Sequence, residues 1–382
     1  MNFAFSEEQE ELRRSLRRFL ADKSPEPEVR RLMASESGYD RAVWAQMAQE
    51  LGLQGLIIPE ELGGSGFSYV ELIVVFEEMG RSLLCAPFFS SVALAANAIL
   101  ASGDLEAQKE VLPGIASGET IATLALTEDS GRWDAAAVAL VAVGAGGAGG
   151  AGGAGGAGGY RLTGHKSFVI DGHVADLILV AGRLGDGISL FLVEGRAAGL
   201  VRRPLPTMDQ TRKQARLELT DVPARLVGAP GQAWPAIAKT LDLAAVALAA
   251  EQVGGAQRVL EMSVSYAKDR VQFGRPIGSF QAIKHKCADM LLAVESAKSA
   301  AYYAGWAAAE DNDELAVMAS LAKAYCSDAY FRAAAETIQI HGGIGFTWEH
   351  PAHLYLKRAK SSALLLGDAA YHRELLAQRI GI

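Results

Sequence analysis

Apolar positions along the chain follow two different periods, and the period changes twice. In the first third they recur three and four residues apart: Leu12, Leu16, Phe19 and Leu20 follow Ser6 and Gln9, a pair spaced as a capping box, so a first helix is expected to start near Ser6. RAVWAQMAQELGL and YVELIVVFEEMGRSL continue the helical period on either side of IIPEELGGSGFS, whose proline and glycines predict an irregular loop. Near Ile121 the texture shortens to IATLAL, AVALVAV, YRLTG, KSFVI, DLILVAG, ISLFLVEG and ARLELTDV, alternating or apolar runs broken by Gly and Asp, as in antiparallel strands. From Gln232 long alanine-rich helices return, at 232–271, 281–310, 313–340 and 351–380.

This order predicts an α+β protein: a helical N-terminal domain at 1–120, a barrel-like antiparallel β domain at 121–230, and a C-terminal four-helix bundle at 231–382. One tract obeys neither period. GAGGAGGAGGAGGAGG, residues 144–159, has no side chain large enough to pack and predicts an expanded flexible loop between two strands. It contains GxGxxG by default, but no helix follows it and no acidic residue stands at the required distance, which argues against a dinucleotide fingerprint there.

Composition narrows the partners. Half of the 382 residues are apolar, enough for a large core, and a formal charge of -8 gives no general pull toward phosphate backbones or anionic lipid. No nucleic acid and no membrane are therefore expected as partners; a small molecule is. FFSSVALAANAILA, residues 88–101, is too short to cross a bilayer, and the N-terminus lacks the basic start and apolar core of a secretion signal. Cys85, Cys287 and Cys326 form no CxxC and fit reduced thiols, so a cytoplasmic location is expected.

Three stretches carry candidate chemistry. VALAAEQVGGAQ, residues 246–257, sets Glu251 inside an apolar run, where an ionisable group is costly unless paired or used. QIHGGIGFTWEHPAHLYLKRAK, residues 339–360, exposes backbone N–H groups at Gly342, Gly343 and Gly345 that suit an anionic oxygen such as that of a pyrophosphate, or else make a tight connection between helices. RVQFGRPIGSFQAIKHK, residues 270–286, offers an arginine for phosphate and Gln281 for an amide-like edge such as adenine. His350 and His353 with Glu349 lack a fourth ligand and are interrupted by Pro351, so no metal site is expected.

Taken with ALTEDSGRWD at 125–134, LTGHKSFVIDG at 162–172 and ELGLQGLIIPEELGGSG at 50–66, these stretches resemble the acyl-CoA dehydrogenase family over nearly the whole chain. The resemblance implies a helical domain, a β domain and a C-terminal bundle, with FAD between the last two. It implies that Leu126, Thr127, Phe168 and Ile170 sit against the flavin ring, and that Arg270, Phe273, Gln281, Gln339, Gly342 and Gly343 hold the ADP portion across a subunit boundary. The implied reaction is α,β-dehydrogenation of an acyl-CoA thioester: a carboxylate removes the α-proton, the β-hydride goes to flavin N5, and electrons pass to an electron-transferring flavoprotein.

The family's usual bases are missing. Where most members carry the glutamate of YEGT, this chain has SSALLLGDAA, with Leu366 in the glutamate's place and Asp368 in the threonine's. The second location, on the first long helix of the C-terminal domain, is Ala244. Glu251 stands seven residues beyond Ala244 and so on the same helix face, which makes it the expected relocated base, its pKa raised by the Ala and Leu around it; Glu251→Gln would then abolish turnover. The competing reading is a buried glutamate paired with Arg258 or a lysine. Asp368, two positions beyond the lost glutamate, is the rival base, but a helix cap or a contact with the flavin's ribityl chain is expected there instead, and His341 is expected as a packing residue. Further departures, Arg132 and Trp133 in the TExxxGSD signature and Ala245 for the arginine that meets CoA, resemble the subclass acting on steroid and other bulky acyl groups. Those enzymes often assemble as α2β2 tetramers of two related chains, so this chain is expected as a homo-oligomer or in such a heterotetramer. Two alternatives follow: a non-catalytic, flavin-supporting subunit, or a flavin monooxygenase on the same fold.

Overall fold

A computed structural model describes residues 5–145 and 159–382; the Gly/Ala tract expected to form a loop at 144–159 lies, except for its ends, outside them. Helices occupy the chain up to Ala116: α1 (Glu7–Lys23), α2 (Glu26–Ala34), α3 (Arg41–Gln49), α4 (Tyr69–Arg81), α5 (Asn97–Ser102) and α6 (Leu105–Ala116). Strands follow as β1 (Ala122–Ala125), β2 (Val141–Gly144), β3 (Tyr160–Ile170), β4 (Leu177–Leu184), β5 (Gly187–Glu194), β6 (Leu200–Pro204) and β7 (Gln214–Val227). Then come α7 (Trp234–Asp269), the short strands β8 (Val271–Gln272) and β9 (Arg275–Pro276), and α8 (Gln281–Ala309), α9 (Leu315–His341), α10 (Ala352–Leu364) and α11 (Ala369–Arg379). The succession helix, strand, helix read from the periodicity is the one the chain adopts.

The local reasons are visible. Ser6 Oγ accepts from Gln9 N while the Gln9 side chain accepts from Ser6 N, the reciprocal cap expected at the start of α1, and Ser68 with Glu71 repeats it at α4. Helix α4 is buried on nearly every side, with Leu72, Ile73, Val74 and Val75 fully enclosed. No helix among the described residues is long and apolar enough to cross a membrane.

The chain packs into two compact units whose members are not consecutive in sequence. One holds residues 35–67 and 86–241, including strands β1 to β7. Its seven-stranded sheet runs β1-β4-β2-β3-β7-β5 with β6 on β7, and β5 pairs back to β4, closing a barrel. The expected antiparallel pattern needs one correction: β4 pairs parallel with β1 and with β2.

The other unit gathers the described residues up to Ala34, Ser68–Cys85 and Asp242–Ile382. Its core brings Val29 and Leu32 of α2 against Val259 of α7, Val294 of α8, Tyr330 of α9 and Leu354 of α10. The fourth helix expected at 351–380 is two helices, α10 and α11. Between them Leu366 (φ 62°) and Gly367 (φ 100°) adopt left-handed backbone that no helix tolerates, and Asp368 starts α11 anew. Within this unit α4 carries two buried glutamates, and each meets an arginine of α1: Arg13 Nη2 lies 3.3 Å from Glu77, and Arg17 grips Glu78 at 2.9 and 2.6 Å. Buried carboxylates are ordinarily matched in this way.

Candidate active site

In the barrel unit, the segment after β1 is tied to β3 by side chains that cannot reach solvent. Lys166 is fully buried, and its Nζ donates to Leu126 O at 2.9 Å and to Glu128 Oε1 at 2.8 Å. Burial pushes its ammonium down to about 8, against the pull of Glu128. Thr127 Oγ1 donates to Ser167 O at 2.6 Å, and Ser167 N donates back to Thr127 O at 2.9 Å. The hydroxyl of Thr127 is thereby committed within the protein.

Beside this junction the β3–β7 register shifts between Lys166 and Val169, and Phe168 takes φ 59° at the bulge. A left-handed phenylalanine is strained backbone of the kind that gathers at functional sites. The bulge turns its ring outward, 42% exposed, while Ile170 stays buried and its carbonyl accepts from Thr123 Oγ1 at 2.7 Å. The structure thus brings Leu126, Thr127, Phe168 and Ile170 to one end of β1 and β3, three of them buried and Phe168 projecting.

In the helical unit, Arg270 leaves α7 with its N donating to Tyr266 O at 2.8 Å, and the β8–β9 hairpin turns at Phe273 (φ 53°) and Gly274 (φ 77°). Phe273 is 91% exposed, and Gln281 opens α8 facing solvent. Tyr266 stacks on His341 with ring centroids 4.3 Å apart, so the C-terminal ends of α7 and α9 lie side by side. Gln339, Gly342 and Gly343 are exposed there. Gly345 must lack a side chain for internal reasons, since a Cβ would come within 2.9 Å of His341. Gly343 need not: a Cβ on it would meet nothing. An open glycine in a unit that also exposes Arg270 and two glutamines offers donors suited to a phosphate and amide edges suited to a heteroaromatic base. His341 is buried, with its Nδ1 against Thr337 O at 2.8 Å, and its ring also lies 4.3 Å from that of His350. Among the described residues no three His, Cys, Asp or Glu side chains are grouped to hold a metal.

Asp368 takes the first of its expected places: it is the N-cap of α11, its Oδ1 accepting from Tyr371 N at 2.8 Å. One expectation is corrected. Glu251, expected as the relocated base, is an ion-pair partner: Arg358 Nη1 of α10 donates to its Oε1 at 2.8 Å, with both side chains buried. Helix geometry explains the difference. Seven residues restore the face but advance it by roughly 10 Å, at about 1.5 Å per residue, so Glu251 shares a face with Ala244 and not a place. At that depth α7 touches α4 backbone to backbone, a Cβ on Gly80 falling 1.9 Å from Glu251 O. Arg358, in KRAK, is a counter-ion to Glu251.

Sequence reasoning also passed over Lys166, Lys323 and His372. Lys323 sits in ASLAKAYC, an ion in an apolar helical run, and the argument that singled out Glu251 applies to it equally.

His372 gives a test of the helical unit by pH. Burial, reinforced by Lys323, pushes its imidazole down to about 4 from 6.5. Between those values the unfolded chain binds a proton that the folded chain refuses, so this contribution is whole above pH 6.5 and lost as pH falls toward 4. The shift corresponds to about 3 kcal/mol. Urea unfolding at pH 7 and 4.5 is expected to show a smaller loss on acidification for His372→Gln than for the parent; equal losses would contradict the assignment.

Comparison with known proteins agrees with this geometry. The family model "Acyl-CoA dehydrogenase, N-terminal domain" matches residues 6–119, and "Acyl-CoA dehydrogenase, C-terminal domain" matches 231–381. Among relatives, Acyl-CoA dehydrogenase IpdE2 of Mycobacterium tuberculosis is 36% identical over 94% of this chain and 93% of its own. Similar solved structures include a variant of the Tcur3481-Tcur3483 steroid ACAD, 33% identical with a TM-score of 0.85 over 98% of each chain. The ChsE4-ChsE5 complex from Mycobacterium tuberculosis is 29% identical with a TM-score of 0.88 over 100% of this chain and 99% of the matched one.

Proposed function

This chain belongs to the acyl-CoA dehydrogenase family, enzymes of flavin-dependent α,β-dehydrogenation of acyl-CoA thioesters, and we propose that it acts on bulky acyl-CoA substrates as one chain of a two-chain assembly whose companion supplies the α-proton base. The observation that carries this reading is the Glu251–Arg358 ion pair. With Glu251 in an ion pair, Asp368 engaged as the cap of α11, and Leu366 and Ala244 at the family's two base positions, each place the sequence offered for a base is either taken or without an acid. The relatives support it: one is a steroid enzyme, and another is a complex of two named chains.

We assign FAD as the flavin. When bound, it takes up the hydride equivalent that leaves the β-carbon. This chain's residues bind and orient. Arg270 offers a guanidinium to the pyrophosphate, Gly342 and Gly343 offer backbone N–H groups, and Gln281 and Gln339 offer amide edges to the adenosine. Phe273 adds an exposed aromatic face to the same end of the helical unit. In the barrel unit Leu126, Thr127, Phe168 and Ile170 form the ring-facing wall, with Lys166 and Ser167 holding the wall's backbone from behind. The electron acceptor we assign is an electron-transferring flavoprotein. The three free cysteines fit a reducing compartment, and we place the enzyme in the cytoplasm.

The test is made on the chain expressed alone. Anaerobic mixing with branched and sterol-derived acyl-CoA thioesters is expected to leave its flavin absorbance unbleached, and native mass with flavin content is expected to show an incomplete assembly. Rapid stoichiometric bleaching by any acyl-CoA would mean that this chain holds its own base.

A further inference from the structure

The turn between α10 and α11 is held from behind by two buried basic side chains that no step above uses. Lys323, on α9, is fully buried. Its ammonium has three protons and meets three acceptors: Ser327 Oγ at 3.0 Å, Ala363 O at 3.2 Å and Gly367 O at 2.9 Å. Ser327 is itself fixed, donating to Lys323 O at 2.6 Å and accepting from Gln252 Nε2 of α7 at 3.1 Å. On the far side His372 of α11, also buried, donates from Nε2 to Leu366 O at 3.0 Å. Three carbonyls of the stretch from Ala363 to Gly367 therefore end on side chains of α9 and α11.

The turn needs such restraint. Ala363 lies in the last turn of α10, where carbonyls lack helical partners and carry the negative end of the helix dipole, so a buried ammonium is well placed there. Leu366 is left-handed, a conformation an L-leucine keeps only when its surroundings over-determine it. Gly367 permits the close packing of Tyr371, because a Cβ would come within 2.2 Å of that ring. Leu365 and Leu366 are buried by this arrangement.

We propose that Lys323 and His372 are positioning residues that lock the turn from Ala363 to Gly367, so that Leu365 and Leu366 form a rigid apolar wall selecting which acyl groups fit. The inference rests on the reading of this turn as part of the acyl site, where relatives keep their base. Selection by a fixed apolar wall favours acyl chains whose branching matches it, and a mobile wall forfeits that discrimination.

The experiment compares the assembled, flavin-loaded enzyme with its Lys323→Met variant. Hydrogen exchange, followed by mass spectrometry, reads the amides of residues 364–368, and flavin absorbance changes read dissociation constants for a branched bulky and a short straight acyl-CoA. The amides are expected to exchange at least tenfold faster in the variant, and the ratio of the two dissociation constants to fall severalfold, with native mass and flavin content unchanged. Lys323→Arg is expected to restore part of both. If Lys323→Met does not fold, His372→Leu releases Leu366 O alone and is expected to shift both readouts in the same direction by less. Unaltered exchange would overturn the clamp. Faster exchange with unaltered discrimination would overturn the wall. The exchange measurement needs neither turnover nor a base, so it stays readable if the two-chain assignment above is wrong.

Discussion

Glu251→Gln is expected to lower stability by about 3–5 kcal/mol, the usual cost of removing one partner of a buried ion pair. The glutamine takes a carboxylate away from the buried Arg358 guanidinium. In the assembled enzyme the unfolding midpoint should fall on the order of 10 °C, while turnover per folded molecule stays near that of the parent. Substituting both residues, as Glu251→Leu with Arg358→Met, is expected to recover most of the loss, because two apolar side chains of similar size replace the pair without stranding a charge. Calorimetry on the parent, both single variants and the double variant measures the coupling. A double variant that is stable but catalytically dead would return Glu251 to the role of base and end the structural reading.

Gly254→Ala is the second substitution with a large expected effect. Helices α4 and α7 meet through glycines on both sides: a Cβ on Gly254 would lie 1.7 Å from Glu77 O, and one on Gly80 would lie 1.9 Å from Glu251 O. The obstacle is backbone in both cases, so the helices themselves must separate. Overpacking of a core usually costs about 1–3 kcal/mol, and displacing a helix that is buried all round belongs at or beyond the top of that range. The separation would also pull Glu77 from Tyr302 Oη, which donates to it at 2.7 Å, and from Arg13. We expect Gly254→Ala to fold poorly and to melt well below the parent. Gly343→Ala, at a glycine whose Cβ meets nothing, should melt as the parent does. Equal melting of the two variants would show that the α4–α7 contact yields more easily than its geometry implies.

The order of elements was legible because it depends on near neighbours. Capping side chains, apolar period and turn residues act within a few positions, and they placed α1, α4 and the strands. The resemblance carried equally far, since it rested on short contiguous motifs. What local spacing did not reveal was partners. Glu251, Glu77 and Glu78 each sit in an apolar helix, and each is answered by an arginine more than sixty positions away, Arg13 and Arg17 on α1 and Arg358 on α10. Helical period told which face Glu251 occupies and could not tell how far along the axis that face leaves the cavity.

By itself, then, the amino-acid sequence determined the helices, the strands, their order, and the absence of an acid at the two positions where relatives place a base, because all of these are properties of local spacing and side-chain type. Only the tertiary structure decided that Glu251 belongs to Arg358, that Asp368 is a cap, and that Lys323 and His372 grip a left-handed turn. Those depend on which distant groups share a dry interior, where an unpaired charge is too costly to leave and the nearest opposite charge or carbonyl, however remote along the chain, fixes what each residue does.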